Sequence, residues 1–492
     1  MILERIEDRG IGIAVVSQNS TPTDAAGRRL TLHSHSTGDH FAMLSHRLRV
    51  LAAQLAPAAL SRQLCSGGGA KLDKGELKGL IFRVVDDLSG SVATTMIYLG
   101  DKLGLFGHVA QASSAGGLTV AELSAAARCH PRYVDTWAKA CVAHSFMECT
   151  AAADLLPEGA GAGEGEEGDG DGDAARRFWM SLAQQEVLAN EGGQFFQCGA
   201  AQLLGGSMAR QTPQLLACFR DQLGRGISWA ELGEDAREGI ARMNLATHRD
   251  LLPGWVAAVP EAMARLAAAK EGGGGGSGGG GASKLPPLVL DIGCGCGEST
   301  LSLARAFPGA EFVGIDPDPA SIVRARQSMA TRGLGGGGGS GVVSFHCAAI
   351  DDVAPLLGGR EVAVALAYDC IHDMVDPDAA LASIHALIGG GGGGGSGGDD
   401  GDAAGGGCFL WFEPHGSDCP LENREILGAR MVAGIALNCV TTSMAAGGAG
   451  MGAHGCTPAR AERLARRVGF GAFRHERELK GAAFRNNVYV LQ

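Results

Sequence analysis

Leu288-Val-Leu-Asp-Ile-Gly-Cys-Gly-Cys-Gly-Glu-Ser-Thr300 decides the fold of this chain. Its first apolar residues read as a short buried strand ending at Asp291. Gly293, Gly295 and Gly297 then permit a tight turn in which the backbone approaches a ligand that side chains would obstruct. From Thr300 onward, Leu301, Leu303 and Ala304 mark the helix that follows. A second strand, Glu311-Phe-Val-Gly-Ile-Asp316, ends in an acid about one βα unit downstream, where a ribose diol needs an acceptor for its hydroxyls. Together these elements read as the first unit of a nucleotide-binding α/β sheet. The bland alternative is an ordinary βαβ unit with a surface Asp at 316. The spacing is Gly-x-Gly-x-Gly rather than the Gly-x-Gly-x-x-Gly of dinucleotide enzymes. That spacing, with no recognisable hydride-transfer constellation, disfavours an NAD-dependent dehydrogenase.

Working outward, the elements alternate from residue 286. Helix 299–307, strand 311–316, helix 319–331, strand 342–347 and a short helix near 351–358 follow the first strand. Strand 362–368, helix 377–388, strand 408–413, a helical region 422–437 and helix 457–467 come next, then two closing strands near 470–478 and 486–492. Such alternation predicts an α/β fold, a Rossmann-like seven-stranded and mostly parallel sheet covered on both faces, with an antiparallel edge strand. Residues 90–270 read instead as mainly helical. In them Thr119 caps an amphipathic helix, a short turn (Cys129-His130) follows, and a second helix starts at Pro131. This is helix-turn-helix spacing, and Phe146–Cys149 could open a wing. The second helix sets Arg132 and Lys139 among Asp135, Trp137 and apolar residues. Packing or dimerisation is therefore favoured over nucleic-acid binding.

Four low-complexity inserts, 157–175, 272–283, 333–341 and 389–407, cannot bury enough apolar area to offset their ordering entropy and are read as loops. They divide the chain into an extension 1–89, poorly ordered or helical, the region 90–270, a Gly/Ser linker 271–284 and a catalytic domain 285–492. The 79 glycines inflate a length of 492 residues. A net charge of −12 argues against a general binder of nucleic acid or anionic membrane. The sequence has no apolar run long enough for a membrane span, and its 14 cysteines lack a framework spacing. Reduced thiols in a cytoplasmic setting fit best, with organelle import as the minority reading. No metal site is read: Cys294 and Cys296 suit small fillers of the turn, and His33, His35, His40 and His46 lie in a weakly patterned region.

The turn 289–297, Tyr98-Leu-Gly-Asp-Lys-Leu-Gly-Leu-Phe106, 118–147, Phe178-Trp-Met-Ser-Leu-Ala, Tyr368-Asp-Cys-Ile-His-Asp-Met-Val-Asp-Pro377 and Phe412-Glu-Pro-His-Gly-Ser-Asp418 carry a resemblance. From about residue 90 the chain resembles the S-adenosylmethionine (SAM)-dependent methyltransferases that join an N-terminal winged-helix domain to a class I catalytic domain. Their layout is similar to that of plant-type O-methyltransferases. The resemblance implies SAM as cofactor, a small-molecule methyl acceptor, and a helical region that dimerises and closes over the substrate. It places Asp291, Gly293, Gly295, Gly297, Asp316 and Asp369 with the cofactor. The acid expected near the adenine is not clearly aligned in Ala348-Ala-Ile-Asp-Asp352, so Asp351, or Asp352, is assigned there.

Methyl transfer to a hydroxyl needs alignment and removal of a proton. His372, after the fourth strand, has the ordinary basicity for that task. The plant-type enzymes carry a similar His-Asp pair with the histidine as base, oriented by a glutamate whose place Glu413 matches. A hydrogen-bonded histidine that merely shapes the cofactor pocket stands beside that reading. His415 is a second candidate at the pocket rim, and Trp179, Phe195, Phe196 and Trp229 are lining candidates or plain core. The rival from another class is a catalytically silent SAM-binding regulator that uses its winged-helix part for DNA or a partner.

Overall fold

The structure is a computed structural model that describes residues 72–151, 174–221, 224–267, 285–334, 342–389, 406–426, 428–476 and 486–492. The four inserts, the linker 271–284, most of the extension 1–89 and the early histidines fall wholly or mostly outside these residues. The chain divides into two compact units, Met1–Val84 and Val85–Gln492. Of the first, the described part is the start of helix α1, Lys74–Lys102. Everything below concerns the second.

Helix α2 (Leu105–Ala112) leads into β1 (Leu118–Thr119), α3 (Val120–Ala127) and α4 (Pro131–Ala143). Thr119 closes a capping box on α3: its hydroxyl accepts from the Glu122 amide, and the Glu122 carboxylate accepts from the Thr119 amide. β2 (Glu148–Cys149) and β3 (Arg177–Trp179) pair with β1 in a small antiparallel sheet ordered β1-β3-β2. Phe106 and Trp137 meet edge to face in the core beneath it. Helices α5 (Leu182–Leu188), α6 (Ala209–Arg220) and α7 (Trp229–Ala246) follow. Two wide π-helical turns, Gln202–Met208 and Thr247–Leu251, interrupt this helical run.

Helices α8 (Leu252–Ala257) and α9 (Pro260–Ala267) lie on the large sheet, with Leu252, Trp255, Val256 and Val259 buried in its core. Their apolar residues recur at helical spacing, and the sheet supplies the face that buries them. The Arg237 guanidinium of α7 also grips Asp318, at 2.6 Å from Nε, across to the second βα connection.

The large sheet runs β6-β5-β4-β7-β8-β10-β9. Its strands are β4 (Leu288–Ile292), β5 (Glu311–Asp316), β6 (Val343–Cys347), β7 (Val362–Tyr368), β8 (Cys408–Pro414), β9 (Phe473–Glu476) and β10 (Asn486–Leu491). The first five are mutually parallel, and β10 runs antiparallel between β8 and β9. Between the strands lie α10 (Glu298–Ala306), α11 (Pro319–Thr331), α12 (Pro377–Ile388), α13 (Ala429–Ala445) and α14 (Pro458–Val468). Period-two alternation divides the strands between two cores. In β7, Val364, Leu366 and Tyr368 face α8–α11, while Ala365 and Ala367 face α12 and α14. The small residues make room for Trp411 and Phe409 of the neighbouring strand on that face.

Two expected elements differ. The short helix near 351–358 is a pair of 3-10 turns, Ile350–Asp352 and Ala354–Leu357, because Pro355 cannot donate within a continuous helix. The helical region expected at 422–437 begins later and runs to Ala445. Gly428, at φ 80°, sets its start. The β-branched and hydroxylated residues 438–443 stay helical because their hydroxyls bond back: Thr441 and Thr442 Oγ1 each donate to the Asn438 carbonyl at 3.0 Å. No helix among the described residues is long and apolar enough to cross a membrane.

Candidate active site

The glycine turn leaves β4 with Gly293, Gly295 and Gly297 all at positive φ. Gly297 admits no side chain: a Cβ would stand 2.7 Å from Phe345 Cζ and 2.9 Å from Ala325 Cβ. Gly295 is different, since nothing lies within 4 Å of where its Cβ would sit. The turn is pinned by Asp316, whose carboxylate accepts from the amides of Gly295 and Asp318, both at 2.9 Å. Burial pushes the Asp316 carboxyl up, and these two amides oppose the shift. Asp291 points elsewhere. It is buried and accepts from the hydroxyls of Ser299 and Thr300 at 2.6 Å each, tying β4 to α10. Burial pushes its pKa up to about 6 against those hydrogen bonds. Asp351 is exposed, meets Ser383 of α12 at 2.7 Å and is not joined to the turn by any hydrogen bond among the described residues.

A second cluster forms at the carboxyl ends of β7 and β8. The Asp369 amide donates to the Phe412 carbonyl at 3.0 Å, fixing Asp369 at φ 49°, an uncommon conformation for a side-chain-bearing residue. Its carboxylate accepts from Asn486 Nδ2 at 3.0 Å. Burial, then the charge of Glu413, pushes its pKa up to about 8. His372 follows in a 3-10 turn, Ile371–Asp373, with the imidazole 2% exposed. Its Nδ1 is hydrogen-bonded to the Glu413 carboxylate. The other Glu413 oxygen accepts from Trp411 Nε1 at 2.6 Å. His372 Nε2 faces Asp373 at 3.2 Å. Burial works against a charged imidazole here, yet the carboxylates of Glu413 and Asp373 outweigh it and hold the pKa well above its ordinary value.

Asp369, His372 and Asp373 form one wall of a cavity of about 150 Å³. Phe196, Met243 and Thr247 of the helical region and Met431, Ile435 and Cys439 of α13 form the others. Both π-helical turns reach this cavity, through Leu203 and through Thr247 and Leu251. Of the aromatic candidates, Phe196 lines it beneath the Arg242 guanidinium, 5.1 Å from the ring centroid. Phe195 is exposed, Trp179 belongs to β3, and Trp229 packs beside Leu232 and Ala236. His415 lies on the cavity wall, its Nδ1 3.2 Å from Asn487 Oδ1.

The structure thus gathers Gly293, Gly295, Gly297 and Asp316 in one group and Asp369, His372 and Glu413 in another. Cys370 joins the two, because its Sγ donates to the Ile292 carbonyl at 3.2 Å and its side chain abuts Gly293. Sequence reasoning missed Trp411, Cys439 and Asn486, and read Asp373 only as the acid of the His-Asp pair. Trp411 had a signal, lying two residues before Glu413 on a strand and therefore on the same face. Asn486 had none.

The family model described as a methyltransferase domain matches residues 289–392. A trans-aconitate 2-methyltransferase of Methylobacterium radiotolerans is 49% identical over 44 residues, 9% of this chain and 17% of that protein. The chain spans no more than 21% of the length of the first curated relatives it matches. Among solved structures, the mitomycin 7-O-methyltransferase MmcR superposes with a TM-score of 0.55 at 15% identity, over 85% of this chain and 100% of that one. Human N-acetylserotonin methyltransferase in complex with SAM gives 0.51 at 16% identity, over 86% and 99%. The residues present fit an adenosyl cofactor, with open space over Gly295 beside the Asp316 carboxylate. Residues 289–392 match the methyltransferase-domain family, and the chain has the fold seen in these O-methyltransferase structures.

Proposed function

We propose that the protein transfers a methyl group from SAM to a hydroxyl of a small, partly apolar metabolite. The observation that carries this reading is the hydrogen-bonded chain Trp411–Glu413–His372 ending at a cavity lined by Asp369, whose neighbour Cys370 abuts Gly293 of the glycine turn. When bound, SAM supplies an activated methyl on a sulfonium. Asp316 and the turn around Gly293–Gly297 hold the adenosyl part. His372 stands as general base: Glu413 engages Nδ1, which leaves Nε2, beside Asp373, as the nitrogen for the acceptor proton. Cavity walls such as Phe196, Met243 and Ile435 exclude water and align the acceptor. Asp291 and Asp351 act locally on this reading, Asp291 bracing α10 and Asp351 bracing α12.

Because the base works deprotonated and its pKa is raised, kcat/KM should rise with pH along a limb centred well above pH 6.5. Glu413→Gln removes one of the charges that raise it, so the limb should move down toward 6.5. A wild-type limb at or below 6.5, or one unmoved by the substitution, would sink the assignment.

We also propose that α3, α4 and the β1-β3-β2 sheet form a winged-helix-like module used for packing, dimerisation and substrate cover. Arg132 and Lys139 of α4 both pair with Asp135, at 3.0 and 2.8 Å, which supports packing over nucleic-acid binding. A cytoplasmic location is part of the same reading, supported by the free thiols of the described cysteines.

A further inference from the structure

His372, Asp373 and Cys439 place an imidazole nitrogen, a carboxylate oxygen and a thiol sulfur within 4.8 Å of one another. They come from two separate elements, the 3-10 turn after β7 and helix α13, and all three line the cavity. Two further observations point to a ligand. Asp373 Oδ1 is buried and accepts no aligned hydrogen bond, although His372 Nε2 stands 3.2 Å away. That oxygen is ion-paired with the imidazole but lacks an aligned hydrogen bond, which leaves lone pairs free for a ligand beside two other donor atoms. His372 also has the outer support typical of metal-bound histidines, which hand their second ring N–H to a carboxylate that is itself held. Here Glu413 takes Nδ1, and Trp411 Nε1 holds Glu413 at 2.6 Å.

We propose that His372 Nε2, the Asp373 carboxylate and Cys439 Sγ form a site for a thiophilic divalent cation of the Zn²⁺ class. The mixed nitrogen, sulfur and oxygen donor set suits zinc, and three protein ligands leave one position open toward the cavity. On binding, Cys439 gives up its thiol proton and His372 its Nε2 proton, both to solvent, so that the ion is held by a thiolate and a neutral imidazole. Nε2 cannot hold the ion and take a proton from an acceptor at once. The cation is therefore an inhibitor of turnover that competes with the acceptor. That consequence rests on the methyl-transfer reading; the site itself rests on the three side chains alone.

The test is titration of the full-length protein with Co²⁺, which reports a thiolate ligand through near-ultraviolet charge-transfer absorption. Cys439→Ala and Asp373→Asn are titrated in parallel, each checked for folding by near-ultraviolet circular dichroism. The wild type should bind one equivalent more cobalt than Cys439→Ala, with a thiolate band that the variant lacks. Asp373→Asn should weaken binding by at least the ~10–100-fold that loss of an outer-shell partner costs. No thiolate band in the wild type, or an undiminished band in Cys439→Ala, overturns the site. If Cys439→Ala does not fold, unchanged cobalt affinity in Asp373→Asn overturns it instead. Neither readout involves SAM or turnover, so a negative result leaves the methyl-transfer reading standing.

Discussion

His372→Ala should lower kcat on the true acceptor by about 10²–10⁴-fold, the usual contribution of a positioned general base. Affinity for SAM should be unchanged, because the glycine turn and Asp316 do not line the cavity that holds the imidazole. The substitution has a structural cost as well. Glu413 is 0% exposed and would lose the His372 partner, keeping only Trp411. Breaking such a buried pair costs about 3–5 kcal/mol, so the kinetics are read on protein shown to be folded. Single-turnover assays separate chemistry from binding here. Unchanged turnover would assign His372 to shaping the pocket and nothing more.

Gly297→Ala and Gly295→Ala should separate stability from cofactor binding within one turn. At Gly297, φ is 84° and the new methyl would press on Phe345 and on the Ala325 Cβ of α11. Neither neighbour is a flexible side-chain tip, since Phe345 is 3% exposed and the Ala325 methyl is fixed to the helix backbone. A left-handed alanine costs roughly 1–2 kcal/mol and overpacking about 1–3, so Gly297→Ala should lose about 2–5 kcal/mol in urea unfolding. At Gly295, φ is 52° but the space is open. Only the backbone cost of about 1–2 kcal/mol applies there, while the methyl would intrude on the adenosyl group in the proposed cofactor site. Gly295→Ala should therefore lose SAM affinity at modest cost in stability. Equal destabilisation of the two variants would refute this division of labour.

Local chemistry made much of this fold legible. The run Leu288–Ile292 is apolar but for Asp291 and is buried on both faces, as a central parallel strand must be, and the Gly-x-Gly-x-Gly spacing follows it directly. Asp318 and Asp376 announce α11 and α12 as N-caps, each ahead of a proline. Other features depended on tertiary partners. The helix expected at 422–437 stops short of Cys439, whereas the observed one runs on to Ala445 and brings that thiol to His372 and Asp373. Asp291 sits in the motif, yet its pairing with Ser299 and Thr300 depends on how α10 docks. Asp351 stands where the resemblance leaves a gap in alignment, and its bond to Ser383 crosses 32 residues of chain. Asn486 reaches Asp369 and Tyr368 only because β10 enters the sheet beside β8, which no local signal reveals.

The most direct measurement is calorimetric titration of the purified protein with SAM and S-adenosylhomocysteine, beside Asp316→Ala. The wild type should bind both, and the variant should lose about 10–100-fold in affinity, the worth of charge-assisted hydrogen bonds of about 1.5–3 kcal/mol. A folded wild-type protein that binds neither, or a variant that binds both as tightly as the wild type, would contradict a cofactor site at this turn.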